Sequence, residues 1–231
     1  SWAGDAPHHI SLAWVAAESL SRLEFPFWTY YFGAGSPYLQ FYGPLFFCAA
    51  AVVDLLIGDI YWSIKLLLGA AHIASGLGVY LLARELGCRR AASMLAGLVY
   101  VLCFWHVQQV LVMGRFALGL FYALLPWPFV FFERLRTSER PLASASGGGL
   151  AIAALNYTHP GYGFFALGLF VLYALCRLWS LPLAQRRGGY SALLLSCGLV
   201  LSAYLLLGMW VERGSTGLAG MEFGWALGAK V

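Results

Sequence analysis

The chain has 231 residues, 61% of them hydrophobic and 10% charged, and its mean hydropathy is +0.75. Soluble domains carry about 25% charged residues, so a water-soluble enzyme and a disordered chain are both excluded. The net charge of +4 comes without any basic run, which excludes a nucleic-acid partner. What remains is an all-α polytopic membrane protein, because the apolar runs are long and continuous rather than alternating. The five cysteines are scattered without CxxC spacing, which argues against a disulfide or zinc framework.

The chain opens on SWAGDAPHH, with neither an initiator Met nor a signal peptide, and reads as a fragment of a longer chain. Residues 1–60 form an expected outward loop with juxtamembrane helices. Within it, residues 10–22 carry apolar side chains at helical spacing, with Asp5 and Pro7 as a helix start. The stretch from 25 to 42 is dense in aromatic residues, Gly and Pro. Those aromatics suit an interfacial belt or a sugar-stacking surface. Residues 44–58 are apolar but only about 15 long and contain Asp54. That length and charge favour an interfacial helix over a spanning one, with Asp54 expected near Lys65.

About six spans follow, at 61–83, 90–107, 116–132, 142–157, 162–179 and 190–211. They form a transmembrane bundle over 61–211. Gly147, Gly148 and Gly149 suit close helix packing in the fourth, and Pro126 and Pro128 are expected to kink the third. Residues 212–231 begin a further outward segment. Nine of the 14 basic residues fall in the loops at 84–90, 133–141 and 177–188. The positive-inside rule puts those three in the cytoplasm and the other connections outside.

This topology gathers most chemically capable side chains on the outward face. Asp5 precedes His8 and His9 by three and four residues. Its carboxylate could serve as a general base, share a divalent cation (Mg or Mn) with His9, or simply cap the helix. Arg115 after VLVMG suits either a grip on lipid phosphate or a snorkelling anchor. His159 in NYTHPGY is a ligand for a phosphate or cation, or a hydrogen-bonded structural residue, which its spacing favours. His72 falls mid-span and is read as an interhelical hydrogen bond.

The succession GDAPHH, WTYYFGAGSPYLQFYGPL, VYLLARELG, GRFALGLFYALLPWPF and NYTHPGY resembles the bacterial and archaeal membrane proteins called 6-pyruvoyl-tetrahydropterin synthase-related. These are similar in turn to membrane glycosyltransferases of the C-type fold. The resemblance implies a first outward loop with an acidic residue at the start of a juxtamembrane helix, a position that Asp5 matches. It implies sugar transfer from a polyprenyl-phosphate-linked donor to a glycan, lipid or protein acceptor on the extracytoplasmic face of the cell membrane. Asp5 would then be catalytic, and His8, His9, Arg115 and His159 would bind the substrate phosphate. This chain departs from the expected pattern in having no acidic residue shortly after Arg115. The rival expectations are a flippase or transporter of a lipid-linked saccharide, and a non-catalytic protein of the same fold.

Overall fold

A computed structural model describes residues 4–26, 28–30, 36–39, 42–180 and 187–212. Helix α1 (Ala6–Ser21) is followed by a minimal antiparallel pair, β1 (Trp28–Thr29) and β2 (Ser36–Pro37), with Trp28 opposite Pro37. Next come α2 (Leu45–Ile57), α3 (Ile60–Glu85) and α4 (Arg90–Leu102). A short α5 (Phe104–Val107) runs into a π-helical turn at Gln108–Val112. Then follow α6 (Phe116–Leu124), α7 (Trp127–Arg134), α8 (Pro141–Thr158), α9 (Pro160–Ser180) and α10 (Gly188–Glu212). The expected outward segment at 212–231, apart from Glu212, and residues 27, 31–35, 40 and 41 of the aromatic stretch lie outside the described residues.

Among the described residues, four helical stretches are long and apolar enough to cross a membrane: Ile60–Glu85, Phe116–Arg134, Pro160–Ser180 and Gly188–Val211. The number becomes five if Arg90–Leu102 and Phe104–Val112, bent by 42°, count as one span. A straight helix over 90–107 was expected, and the structure bends it. At Cys103 the backbone leaves the helical region (φ −56°, ψ 128°), so the intrahelical ladder stops there without a proline. Pro126 falls at the boundary between α6 and α7, where the backbone stays in the helical region and the two helices make one apolar stretch. The helix expected at 142–157 forms as α8, but Ser, Gly, Asn and Thr dilute its apolar character. Those small residues serve packing instead. Gly148 and Gly149 lie against Leu194 and Cys197, Gly198 against Ile152, and Asn156 Nδ2 donates to Ser202 Oγ at 2.9 Å. Thus α8 and α10 run parallel in one register.

The helix ends sort into two groups. At one end Arg134 Nε meets Glu85 Oε1 at 2.7 Å, Arg187 Nη1 donates to the Ser138 carbonyl at 2.8 Å, and Arg177 binds Glu133. These contacts draw the three arginine-rich loops together. The N-termini of α3, α6 and α9 lie at the opposite end.

Helix α2 begins and finishes at that opposite end. Phe46 lies beside Phe116 and Phe47 beside His9, while Asp54 accepts from Ser63 Oγ at 3.3 Å. It therefore crosses the end of the bundle instead of traversing it. Asp54 pairs with Ser63, and Lys65 stacks over the Trp62 ring at 4.6 Å. The turn into α3 is set locally. Gly58 adopts φ +74° to close α2, and Asp59 accepts the Tyr61 and Trp62 amides as an N-cap. Helices α1 and α2 share one apolar core with Ile64, Phe116 and Ala117.

Candidate functional site

The site is assembled where the starts of α1, α6 and α9 meet the chain around Tyr42. Gly4 sits at φ +63°, and a Cβ there would run into the Met113 carbonyl. Only glycine permits this approach, which lets the Asp5 N–H donate to the Met113 carbonyl at 2.9 Å. Asp5 thus occupies the N-cap position of α1 but its carboxylate makes no capping bond. It faces Arg115 instead, with Nε of Arg115 3.1 Å from Oδ2. Both side chains are part-exposed, at 53% for Asp5 and 38% for Arg115, so the pair is reachable from solvent.

Arg115 is aimed by Gln109, whose Oε1 accepts from Nη1 at 3.1 Å. The side chain of Gln109 is buried and its Nε2 has no hydrogen-bond partner. The π-helical turn places it there by inserting an extra residue per turn, a device common at functional sites. Gln109 lies in the outward connection between the spans at 90–107 and 116–132, but its link to Arg115 was not legible because a regular helix would point it elsewhere.

His9 is 3% exposed. Its Nδ1 accepts the Phe116 N–H at 3.1 Å, which satisfies an amide at the start of α6. Nε2 lies 3.5 Å from the Tyr42 hydroxyl. Burial pushes the His9 pKa down to about 4, against a smaller upward pull from Asp5. The ring is therefore neutral at pH 7, and with Nδ1 accepting, Nε2 carries the proton and points it at Tyr42. Burial also lifts the Tyr42 hydroxyl to about 12, with Asp5 adding to the rise.

His159 completes the group. Its ring lies 5.3 Å from that of Tyr42 and 4.8 Å from that of Tyr162. Its Nδ1 accepts the Tyr162 N–H at 3.4 Å, so it also serves the start of a helix, α9. Burial lowers its pKa and Arg115 acts in the same direction. Gly43 holds this side closed, since a Cβ there would strike the Thr158 and Tyr157 carbonyls.

Asp5, His9, Arg115 and His159 are thus brought together, and Tyr42 and Gln109 join them. His8 is exposed on α1, with its ring 6.4 Å from that of His9. The donor set does not fit a divalent cation. Both nitrogens of His9 face protein groups, Asp5 faces a guanidinium, and no cluster of three His, Cys, Asp or Glu side chains able to hold a metal occurs among the described residues.

His72 stacks edge-on to His106, with ring centroids 5.1 Å apart. Glu133 was not singled out from the sequence, yet it is 2% exposed and binds Arg177 through both oxygens, Tyr173 at 2.6 Å and Arg136 at 2.8 Å.

No curated protein and no solved structure matches the chain. The family model described as 6-pyruvoyl-tetrahydropterin synthase related domain, membrane protein, matches residues 39–211. The match takes in Tyr42, Gln109, Arg115 and His159 and stops short of Asp5, His8 and His9. With three quarters of its length under that match, the chain belongs to the 6-pyruvoyl-tetrahydropterin synthase-related family of membrane proteins.

Proposed function

We propose that this chain is a glycosyltransferase-like membrane protein, related to the C-type fold, that moves a sugar from a polyprenyl-phosphate-linked donor to an acceptor hydroxyl. The observation that carries the reading is the part-exposed Asp5–Arg115 pair at the end of the bundle opposite the arginine loops. By the positive-inside rule that end is extracytoplasmic in the cell membrane. Counting α8 with the bent α4–α5 pair gives six spans, and α1 and α2 are juxtamembrane helices.

In this reading the donor phosphate takes Nε of Arg115 away from Asp5, while Gln109 keeps the guanidinium aimed. His159 and His8 contribute polar edges to the phosphate, and His9 holds the start of α6 in place. The freed Asp5 carboxylate accepts the proton of the acceptor hydroxyl. The acceptor oxygen bonds to the anomeric carbon as the bond from that carbon to the phosphate oxygen breaks. The departing polyprenyl phosphate keeps the electron pair, and Arg115 balances its charge. No step is routed through a cation.

The test is sugar transfer from a polyprenyl-phosphate donor by the full-length protein. Asp5→Asn is expected to lower the rate at least about a hundredfold, and Arg115→Lys to raise KM for the donor. Equal rates in both variants and the wild type overturn the assignment.

A transporter of lipid-linked saccharides is the second reading. The bent α4–α5 pair favours it, since broken helices line transport paths. Movement of labelled lipid across proteoliposomes without covalent transfer distinguishes it.

A further inference from the structure

The bend at Cys103 has a second effect. Below it α4 packs closely on α3, with Gly76 against Gly97. Above it the chain tilts away, and a cavity of about 340 Å³ opens between α3 and the 104–112 segment. That volume is within the range of small-molecule sites, about 300–1,000 Å³.

The walls are Leu68, Val110 and Leu111, with Gly119 of α6 behind them. Lys65 stands at the rim, and its ammonium enters no ion pair among the described residues. The buried His106 forms the floor, with the ring of the exposed His72 5.1 Å from it. His106 is 4% exposed and its Nδ1 has no hydrogen-bond partner. A buried polar atom left unpaired costs about 1–3 kcal/mol. No carboxylate lines the cavity.

These features set the occupant's chemistry. The rim asks for an anion, the walls for hydrocarbon, and the floor for one hydrogen-bonding group. Lys65 and His72 share a face of α3 seven residues apart, roughly 10 Å along the axis. An ordinary acyl chain would leave Nδ1 of His106 unpaired, and a small soluble anion would leave the walls bare. We propose that this cavity is a binding site for an extended anionic amphiphile, with its head group at Lys65 and a hydroxyl or carbonyl on its chain at His106. The site is separate from the Asp5–Arg115 pair and stands whether or not the chain transfers sugars.

The experiment is calorimetric titration of the full-length protein in zwitterionic nanodiscs with decanoate and 10-hydroxydecanoate. The hydroxy acid is expected to bind several-fold more tightly to the wild type. Lys65→Gln is expected to weaken both ligands roughly tenfold, the worth of one charge-assisted hydrogen bond. His106→Phe is expected to abolish the preference for the hydroxy acid and leave decanoate binding unchanged. At Gly69, another lining residue, an added Cβ meets nothing within 4 Å. Gly69→Phe therefore starts from open space at the cavity wall, and its bulk is expected to remove binding of both. Equal uptake of both ligands by the wild type and Gly69→Phe would mean partition into bilayer only, and would overturn the site. So would a hydroxyl preference that survives His106→Phe.

Discussion

Burial keeps the His9 imidazole neutral at pH 7, and neutrality is what lets Nδ1 accept the Phe116 amide. Its folded pKa of about 4 lies below the usual 6.5. The stabilisation is therefore complete above pH 6.5 and is lost as pH falls from 6.5 toward 4, an effect on the order of 3 kcal/mol. His9→Phe leaves the Phe116 amide unpaired and is expected to lower Tm at pH 7. The gap between the two proteins should close between pH 6.5 and 4, and a gap that stays constant contradicts this role. Gly4 tests the other side of the site. In Gly4→Ala, φ +63° and the Met113 carbonyl both oppose the new methyl group. A loss of about 1–2 kcal/mol is expected from thermal unfolding. The one-sided gathering of Asp5, Arg115 and His159 was legible because arginine loops alternate with polar ones. The roles of Tyr42 and Gln109 were not, because one depends on tertiary approach and the other on a π-helical turn.

Helix α8 shows how element packing replaces hydropathy. Gly149 lies where a Cβ would come within 2.7 Å of the Cys197 Cβ, whereas at Gly208 and Gly168 it meets nothing within 4 Å. Gly149→Leu is expected to cost about 1–3 kcal/mol by overpacking, while Gly208→Leu leaves Tm within a degree or two. Thermal unfolding in detergent compares them directly. The glycine run suggested close packing from the sequence alone, but the partner did not, because α10 begins some forty residues later. The bend at Cys103 was illegible for a different reason. The segment VYVLCFWH contains neither Pro nor Gly, so nothing local announces a break. Spans such as 61–83 and 162–179 were legible because continuous apolar runs of that length have few other uses in a helical protein.

On the scale of the whole molecule, the arginine end is fastened by Glu133, which joins α7 to α9 through Arg177 and Tyr173. Glu133→Gln leaves the guanidinium without its counter-charge and is expected to lower stability by about 3 kcal/mol, measured as Tm of the purified protein. Sidedness is tested by cysteine labelling of intact cells. In a cysteine-free background, Ser11→Cys on α1 should react with an impermeant maleimide. The native Cys88, restored in the arginine-rich loop, should not. Labelling of Cys88 alone would invert the bundle. The Asp5–Arg115 pair closes a loop of 110 residues, and that separation has a temporal consequence. A ribosome adds about 5–20 residues per second, so the carboxylate emerges on the order of ten seconds before its guanidinium. Through that interval the nascent α1 must stay on one face of the membrane, without its partner, while the two arms of one hairpin, α3 and the bent α4–α5 pair, are threaded behind it.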